Sequence, residues 1–408
     1  MFADLLRARL RAEQPGRVKA LHQAAAAWCE EHVLADDAVR HALAAGDTAW
    51  AARLVERHVE ALLGRSEGVT LRRWLSSLPS DAVRGRTRLC LAQAYGAAQA
   101  FQVEALEALL DDAERAFAVS GDEPYEAPGG RQNSVLSNIP AGIAFLRGTS
   151  ARLRGDAVLA AGFNRQAVGQ LGEDERLMQA FVRWNQAATD WLAGRLGPAE
   201  RGLADVLAER RAAGEQPSVD FLAMRACYDL GEVQRARGDL DAAYSTYRQG
   251  LELDGQTSPT ALTGLVHVGL AQILYERNDL AAALDHATSG VTLCGQLAVT
   301  WPRAIGLAVV ARIRHAHGDL AGARGAMNEA GQIELSGQVN ALVNPVPWQR
   351  ARLLLTQGDV HPAAEWTTDV GLSPTTSQTT RGSRPIWCWP ECCSPNVIPA
   401  QPSRCCSG

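Results

Sequence analysis

The sequence has almost no lysine, few aromatic residues and no long apolar run. Of the 40 basic residues only Lys19 is a lysine, and aromatic residues make up 6% of the chain. No long basic run is present to form a nucleic-acid surface, and no stretch of about 18 uncharged apolar residues could span a bilayer. The charged amino terminus, residues 1–19, lacks the apolar core of a signal peptide. These absences predict a cytoplasmic protein with no membrane partner and no direct contact with nucleic acid.

The apolar content is nevertheless high, at 47% of the residues. With so few aromatic residues, alanine and leucine must form the apolar faces, and both are strong helix formers. The chain has 408 residues, which exceeds the usual limit of about 250–300 residues for one compact core. The protein is therefore expected to be either several domains or an elongated helical array.

A short motif of glycine or asparagine, an aspartate and an aliphatic residue recurs every forty residues. This repeat favours an elongated helical array over several separate domains. The motif occupies residues 238–240, 278–280, 318–320 and 358–360. A small residue stands seven positions before each motif (Gly231, Ala271, Ala311, Ala351), and an alanine stands five positions after it (Ala243, Ala283, Ala323, Ala363). Self-similarity at roughly 20–50 residues is typical of solenoids. The pattern predicts an all-α, tetratricopeptide-like α-solenoid, a right-handed superhelix of antiparallel helix pairs.

The chemistry of the motif explains why each copy should be a turn between helices. Glycine readily adopts the left-handed conformation that ends a helix, and the following aspartate can accept hydrogen bonds from the first amides of the next helix. Upstream of the repeats, apolar periodicity and helix-ending residues predict further helices, followed by a long loop over residues 121–134. The predicted helices cover residues 2–13, 17–33, 36–45, 48–63, 69–78, 88–100 and 103–117.

Three stretches of the amino-terminal half resemble a known family. They are residues 39–47 (VRHALAAGD), 71–79 (LRRWLSSLP) and 88–91 (RLCL). They resemble the ATP-dependent, maltose-regulator-like (MalT-type) transcription activators that carry a LuxR-type helix-turn-helix. The resemblance implies a nucleotide-binding module and a winged-helix region, then linker helices and a tetratricopeptide-like sensor, and finally a DNA-binding domain. Residues 1–7 resemble the end of the winged-helix region.

The sequence departs from the family pattern where ATP and DNA would bind. It contains no Gly-x-x-x-x-Gly-Lys-Ser/Thr segment, and Lys19 follows no glycine-rich turn; no terminal helix-turn-helix pattern is present either. We therefore expect no cofactor and only the sensor part of such a regulator, truncated at both ends. In this interpretation residues 1–85 are linker helices and residues 86–368 are the sensor. The alternative is a free-standing helical-repeat adaptor for protein interactions.

A set of aromatic residues recurs in or next to the first helix of successive pairs, the helix that lines the concave groove of tetratricopeptide-like arrays. The set is Trp184, Trp191, Tyr228, Tyr275, Trp301 and Trp348, with arginines Arg183, Arg303 and Arg350 nearby. Two interpretations are open: the set binds a sugar, a peptide or another inducer or regulatory protein in the groove, or it packs the core. Self-association is a further expectation for such a surface.

No catalytic or metal site is expected. His315 and His317 are separated by about 200° around a helix and cannot share an ion. No serine, cysteine or carboxylate constellation suggests an enzyme.

The last segment, residues 369–408, loses the helical period and contains five clustered cysteines (Cys388, Cys392, Cys393, Cys405, Cys406). The spacing invites a zinc or disulfide interpretation, but the genetic code suggests another. In a shifted frame, the third base of each codon is read together with the first two bases of the next codon. In that frame the codons of residues 387–390 can encode only Val-Leu-Ala, and the codons of each Cys-Cys pair can encode only Leu. The restored reading places small residues one period after Ala351. We therefore predict a frameshift near Ser373 and a disordered tail without metal or function.

Overall fold

The structure, a computed structural model, describes residues 13–64, 68–121, 130, 134–213, 217–254, 261–296, 300–333 and 346–356. These residues form helices joined by turns and short loops, and none of them is in a strand. The helices are α1 (Pro15–Glu31), α2 (Ala35–Ala44), α3 (Thr48–Gly64), α4 (Gly68–Ser77), α5 (Ser80–Arg84), α6 (Thr87–Gln99), α7 (Val103–Ser120), α8 (Ile139–Arg154), α9 (Ala157–Gln170), α10 (Arg176–Leu192), α11 (Leu196–Ala213), α12 (Pro217–Ala236), α13 (Leu240–Asp254), α14 (Ala261–Glu276), α15 (Leu280–Gln296), α16 (Thr300–Ala316), α17 (Leu320–Gln332) and α18 (Val346–Thr356). The predicted all-α helical-repeat solenoid is confirmed, and the handedness of its superhelix stays a prediction.

The observed helices from α1 to α7 follow the periodicity closely. The helix predicted for residues 48–63 is α3, and the one predicted for residues 103–117 is α7, which continues to Ser120. The structure adds α5, a helix of 5 residues that starts after Pro79. A helix this short has no apolar period to find in the sequence, which is why the pattern gives no sign of it.

The forty-residue motif forms the turns that its chemistry predicts. Gly238, Asn278 and Gly318 have φ values of 82°, 61° and 81°, the left-handed region that ends a helix. The aspartate after each of them accepts a hydrogen bond from a backbone amide three residues later. The distances from aspartate oxygen to amide nitrogen are 3.0 Å for Asp239, 3.2 Å for Asp279 and 2.8 Å for Asp319.

The small residues of the repeat lie where neighbouring helices approach. Ala271 and Ala311 in the first helices are fully buried, and so are the second-helix alanines Ala243, Ala283 and Ala323. Larger side chains at these positions would have to displace a neighbouring helix, because helical interiors are packed as densely as organic crystals.

The described chain divides into two units. The first comprises residues 1–189, 202–226 and 336–339, and the second comprises residues 190–201, 227–335 and 340–408. Helices α1 to α9 belong to the first unit, and helices α13 to α17 belong to the second. Several predictions lie outside the described residues: the helix at residues 2–12, most of the loop at 121–134, the fourth motif at 358–360, Ala363 and the tail at 369–408.

Candidate functional site

The aromatic residues singled out from the sequence lie on first helices, as expected. Trp184 and Trp191 are on α10, and the others are on α12 (Tyr228), α14 (Tyr275), α16 (Trp301) and α18 (Trp348). Trp184, Tyr228 and Trp301 are only 9%, 7% and 6% exposed, whereas Trp191 and Tyr275 are half-buried. The side chain of Trp348 lies outside the described part of the chain. Three members of the set therefore serve mainly as packing residues.

Trp184 is the centre of a contact between three successive first helices, and all three residues of this contact lie in the first unit. The guanidinium carbon of Arg152, on α8, lies 5.1 Å from the centroid of the Trp184 ring. The guanidinium carbon of Arg225, on α12, lies 5.5 Å from the same ring. Such cation–π contacts are each worth about 0.5–1 kcal/mol at exposed sites and about 2 kcal/mol when desolvated. We call Arg152, Trp184 and Arg225 the Arg–Trp–Arg cluster.

A buried chain of hydrogen bonds holds Arg152 in this cluster. Its Nε donates to Oδ1 of Asn185 at 2.8 Å, and Nδ2 of Asn185 donates to Oδ1 of Asn164 at 2.8 Å. Nδ2 of Asn164 in turn donates to Oγ1 of Thr189 at 3.2 Å. Gly148 provides the space, since a Cβ there would lie 2.9 Å from Oδ1 of Asn164. This network was missed in the sequence, where two asparagines in apolar helices were its only signal.

Two of the three arginines of the predicted groove, Arg183 and Arg303, are already engaged in ion pairs. Arg183 pairs with Glu209, with 2.7 Å between nitrogen and oxygen, and Arg303 pairs with Glu329. In the second unit the guanidinium carbon of Arg312 lies 4.5 Å from the ring centroid of Tyr275, and Arg312 also pairs with Glu276 at 3.1 Å. The ring of the half-buried Tyr275 is thus in contact with an arginine that is itself ion-paired with Glu276. Arg350 is exposed.

Tyr247 is the most deeply buried aromatic side chain among the described residues of the second unit. It is fully buried, and its hydroxyl donates to Oε1 of Glu232 at 2.8 Å. A Cβ at Gly231 would overlap the tyrosine ring, and a Cβ at Gly269 would lie 2.5 Å from its Cε1 and Cζ. The absence of a side chain at Gly231, the small residue of the repeat, therefore leaves the space that the ring of Tyr247 from α13 fills.

Glu60 connects the predicted linker helices to the helix pairs that follow. Its carboxylate, 8% exposed, accepts hydrogen bonds from the Ser134 hydroxyl at 2.7 Å and from the amides of Val135 and Leu136 at 3.1 and 2.7 Å. Burial raises the pKa of Glu60, although these hydrogen bonds and the charge of Arg88 act in the opposite direction. One side chain of α3 thus fixes the segment that leads into α8.

Two pairs of histidines have adjacent rings. Nδ1 of His22 lies 2.8 Å from Nδ1 of His41, and the same atoms of His267 and His286 are 2.9 Å apart. At such distances one ring must donate and the other must accept, so each pair can carry at most one proton beyond the neutral state. Burial lowers the pKa of His267 and of His286, and for His267 the charge of its partner adds to this effect.

Within the described ranges, no group of three histidine, cysteine, aspartate or glutamate residues is arranged to hold a metal ion. His315 is half-buried and His317 exposed, and the Nδ1 atom of His317 lies 3.2 Å from the carbonyl oxygen of Ile313. None of the helices described is both long enough and apolar enough to cross a membrane.

The fold and these surfaces define a helical-repeat protein of tetratricopeptide type. Residues 141–384 match the model of the MalT-like TPR region, and because this match covers more than half of the chain, the protein belongs to that family. The match ends within residues 369–408, the segment for which a frameshift is predicted from the sequence.

Among curated proteins, the chain is 44% identical over 95 residues to serine/threonine-protein kinase PknK of Mycobacterium tuberculosis, and equally to PknK of Mycobacterium bovis. The match covers 23% of this chain and 9% of the kinase. The chain thus spans a small part of the curated relatives it matches, and the kinase activity in their name is not assigned to it.

Two solved structures share the fold. One is a Rap protein complexed with Competence and Sporulation Factor, with a TM-score of 0.54 and 10% identity; the match covers 78% of this chain and 86% of that one. The other is NprR in complex with its cognate peptide NprX, with a TM-score of 0.52 and 10% identity, covering 78% and 88% of the two chains. At this identity the likeness concerns the fold alone.

Proposed function

We propose that this MalT-like TPR region is a sensor that binds a peptide or a protein segment on its first helices and belongs to a transcription regulator. The family membership and the two similar structures, which were solved with Competence and Sporulation Factor and with a cognate peptide, support a binding role. The Arg–Trp–Arg cluster is the observation that carries the choice of surface, because it joins three successive first helices through side chains suited to recognition.

The chemistry of the cluster favours a ligand with a carboxylate. Arg225 is half-buried, and a guanidinium group forms paired hydrogen bonds with carboxylates more readily than any other side chain does. Trp184 and the asparagine network hold Arg152 in place, so part of the surface is ordered before the ligand arrives, which lowers the entropic cost of binding. A free peptide carboxyl end or an acidic side chain fits this arrangement.

The experiment is a selection from a library of octapeptides with free carboxyl ends on the immobilised full chain, followed by calorimetry on the selected peptides. We expect amidation of the carboxyl end, or replacement of the acidic residues, to weaken binding about ten-fold or more, as the loss of a charge-assisted hydrogen bond of about 1.5–3 kcal/mol implies.

The matched variants are Arg225→Gln and Arg165→Gln. Arg225 belongs to the cluster, whereas Arg165 is exposed on α9, a second helix. Only the first variant should lose affinity. Equal effects of the two variants, or equal binding of acid and amide peptides, would exclude the cluster as the site.

The half-exposed residues Trp191, Tyr275 and Arg303, together with Trp348, remain separate candidates for ligand contact. They lie in the second unit. If selected peptides bind normally to Arg225→Gln but lose affinity for Tyr275→Ala, the ligand surface belongs to the second unit instead.

The regulator role is distinguished from a free-standing adaptor by the neighbouring DNA. We expect the upstream reading frame to encode a Walker A segment. We also expect the DNA downstream of the predicted frameshift near Ser373, read in the shifted frame, to encode a helix-turn-helix. Intact genes of unrelated function on both sides would favour the adaptor, which also binds proteins but passes no signal to DNA.

A further inference from the structure

A phenylalanine lies about one helical turn before each of two members of the Arg–Trp–Arg cluster. Phe181 precedes Trp184 by three residues on α10, and Phe221 precedes Arg225 by four residues on α12. Both phenylalanines are half-buried. Residues three or four positions apart lie on the same side of a helix. The two rings are therefore on the side of α10 and of α12 that carries the cluster.

The order of the contacts between first helices places the two phenylalanines at the same level. The contact between Phe145 of α8 and Phe181 of α10 comes first along both helices, and the contact between Arg152 and Trp184 comes second. Helices α8 and α10 thus run parallel, as alternate helices of an antiparallel array do. On α12, the next first helix, Phe221 also precedes the cluster arginine. All these residues belong to the first unit.

A row of buried aromatic rings supports Phe181 from behind. Its ring meets that of Phe145 edge-on, with 6.0 Å between the centroids. The ring of Phe145 in turn stacks on that of Tyr95, with 5.9 Å between the centroids. Phe145 and Tyr95 are both buried. Packing of this kind orders the ring of Phe181 before a ligand arrives, which lowers the entropic cost of binding.

Helix α12 offers a ligand little besides the phenylalanine and the arginine. Among residues 221–234, only Phe221 and Arg225 are not buried. The accessible part of this stretch is thus one apolar ring and, a turn further on, one guanidinium group. Such a surface is complementary to a carboxylate that has a large apolar side chain close to it.

We propose that Phe181 and Phe221 form an apolar subsite beside the Arg–Trp–Arg cluster, and that this subsite takes a large apolar side chain of the bound peptide. The proposal rests on the proposed function, because the cluster orients the peptide by its carboxylate. The phenylalanines lie three and four residues before the cluster residues, about 4.5 and 6 Å along the helix axis. An extended peptide covers this distance in one or two residues of about 3.3 Å each. The apolar residue therefore lies one or two positions before the residue that carries the carboxylate.

The test uses the octapeptides selected on the immobilised full chain. We expect leucine, methionine or an aromatic residue one or two positions before the residue that carries the carboxylate. Replacing that apolar residue by alanine should weaken binding about ten-fold in calorimetry, because a subsite open on one side buries part of the side chain that is removed. The same replacement near the amino end of the peptide should have little effect.

The matched variants are Phe181→Ala, Phe221→Ala and Phe163→Ala. Phe163 is also half-buried, but it is on α9, a second helix. In the first two variants the preference for the apolar peptide over its alanine version should disappear, as a double-mutant cycle requires, while the acid should still bind better than the amide. Phe163→Ala should keep both preferences. Phe221→Leu, which retains an apolar side chain, should keep most of the affinity, and urea unfolding shows which variants are folded.

The results distinguish the subsite from the proposed function. If binding requires the carboxylate and Arg225 but shows no apolar preference, the subsite is overturned and the proposed function stands. Equal losses of affinity in Phe163→Ala and Phe221→Ala have the same meaning. If no peptide binds, or if acid and amide peptides bind equally, the proposed function fails and the subsite fails with it.

Discussion

Replacing Gly231 by alanine tests the packing of the helix repeat at its most crowded point. The added Cβ would overlap the ring of Tyr247, and Gly269 encloses the same ring, with a site for a Cβ 2.5 Å from Cε1 and Cζ. The ring has little room to move, because Tyr247 is fully buried and its hydroxyl is bonded to Glu232 at 2.8 Å. Any displacement must shift α13 or break that hydrogen bond.

Two opposing effects set the change in the free energy of unfolding that Gly231→Ala should cause. Overpacking a dense core costs about 1–3 kcal/mol, while alanine in place of glycine inside a helix gains roughly 0.5–1 kcal/mol. We therefore expect Gly231→Ala to lower the free energy of unfolding by about 1–2 kcal/mol.

Gly325→Ala is the matched control, because Gly325 is also inside a helix but has nothing within 4 Å of its Cβ site. This variant should be more stable than the parent by about 0.5–1 kcal/mol. Urea unfolding followed by circular dichroism at 222 nm gives both values. If Gly231→Ala is as stable as Gly325→Ala, the enclosure of Tyr247 is refuted.

Three further predictions concern other parts of the chain. Ala283→Leu should overpack a helix crossing and lower the free energy of unfolding by roughly 1–3 kcal/mol, whereas Ala281→Leu on the exposed side of α15 should leave it nearly unchanged. Equal urea midpoints for the two variants would contradict the placement of Ala283 at a helix crossing. Glu60→Ala should cost about 1–3 kcal/mol by leaving buried donors unpaired, and Glu60→Gln should recover part of the loss; similar thermal melts for both variants would show that these hydrogen bonds do not matter. Burial lowers the pKa of His267 and His286, so the unfolded chain binds protons more tightly and stability falls as the pH drops through the ordinary histidine pKa of about 6.5. His286→Gln should reduce the loss of stability at low pH, measured by urea titration at several pH values. An unchanged dependence of stability on pH would contradict the lowered pKa values of this histidine pair.

The turns and the helix pairs were predictable because their causes are local. Gly238 and Asp239 act within a few residues: one ends a helix in the left-handed conformation, and the other caps the next helix. The resemblance of residues 39–47 and 71–79 likewise indicated the family whose model matches residues 141–384.

The candidate site was only partly predictable because its contacts join distant parts of the chain. The sequence singled out Trp184 but did not show that Arg152 and Arg225, from the helix pairs before and after it, lie over its ring. The small size of Gly231 was evident from the repeat, yet its partner Tyr247 depends on how α12 and α13 cross. Tertiary pairing of this kind has no local signature in one sequence.

The most direct test of the central claim is hydrogen–deuterium exchange of the full chain with and without a peptide selected for binding. We expect slower exchange in α8, α10 and α12, the first helices that the Arg–Trp–Arg cluster joins, and no change in α9. Protection confined to second helices such as α9, or no protection by any selected peptide, would contradict a sensor that binds its ligand on the first helices.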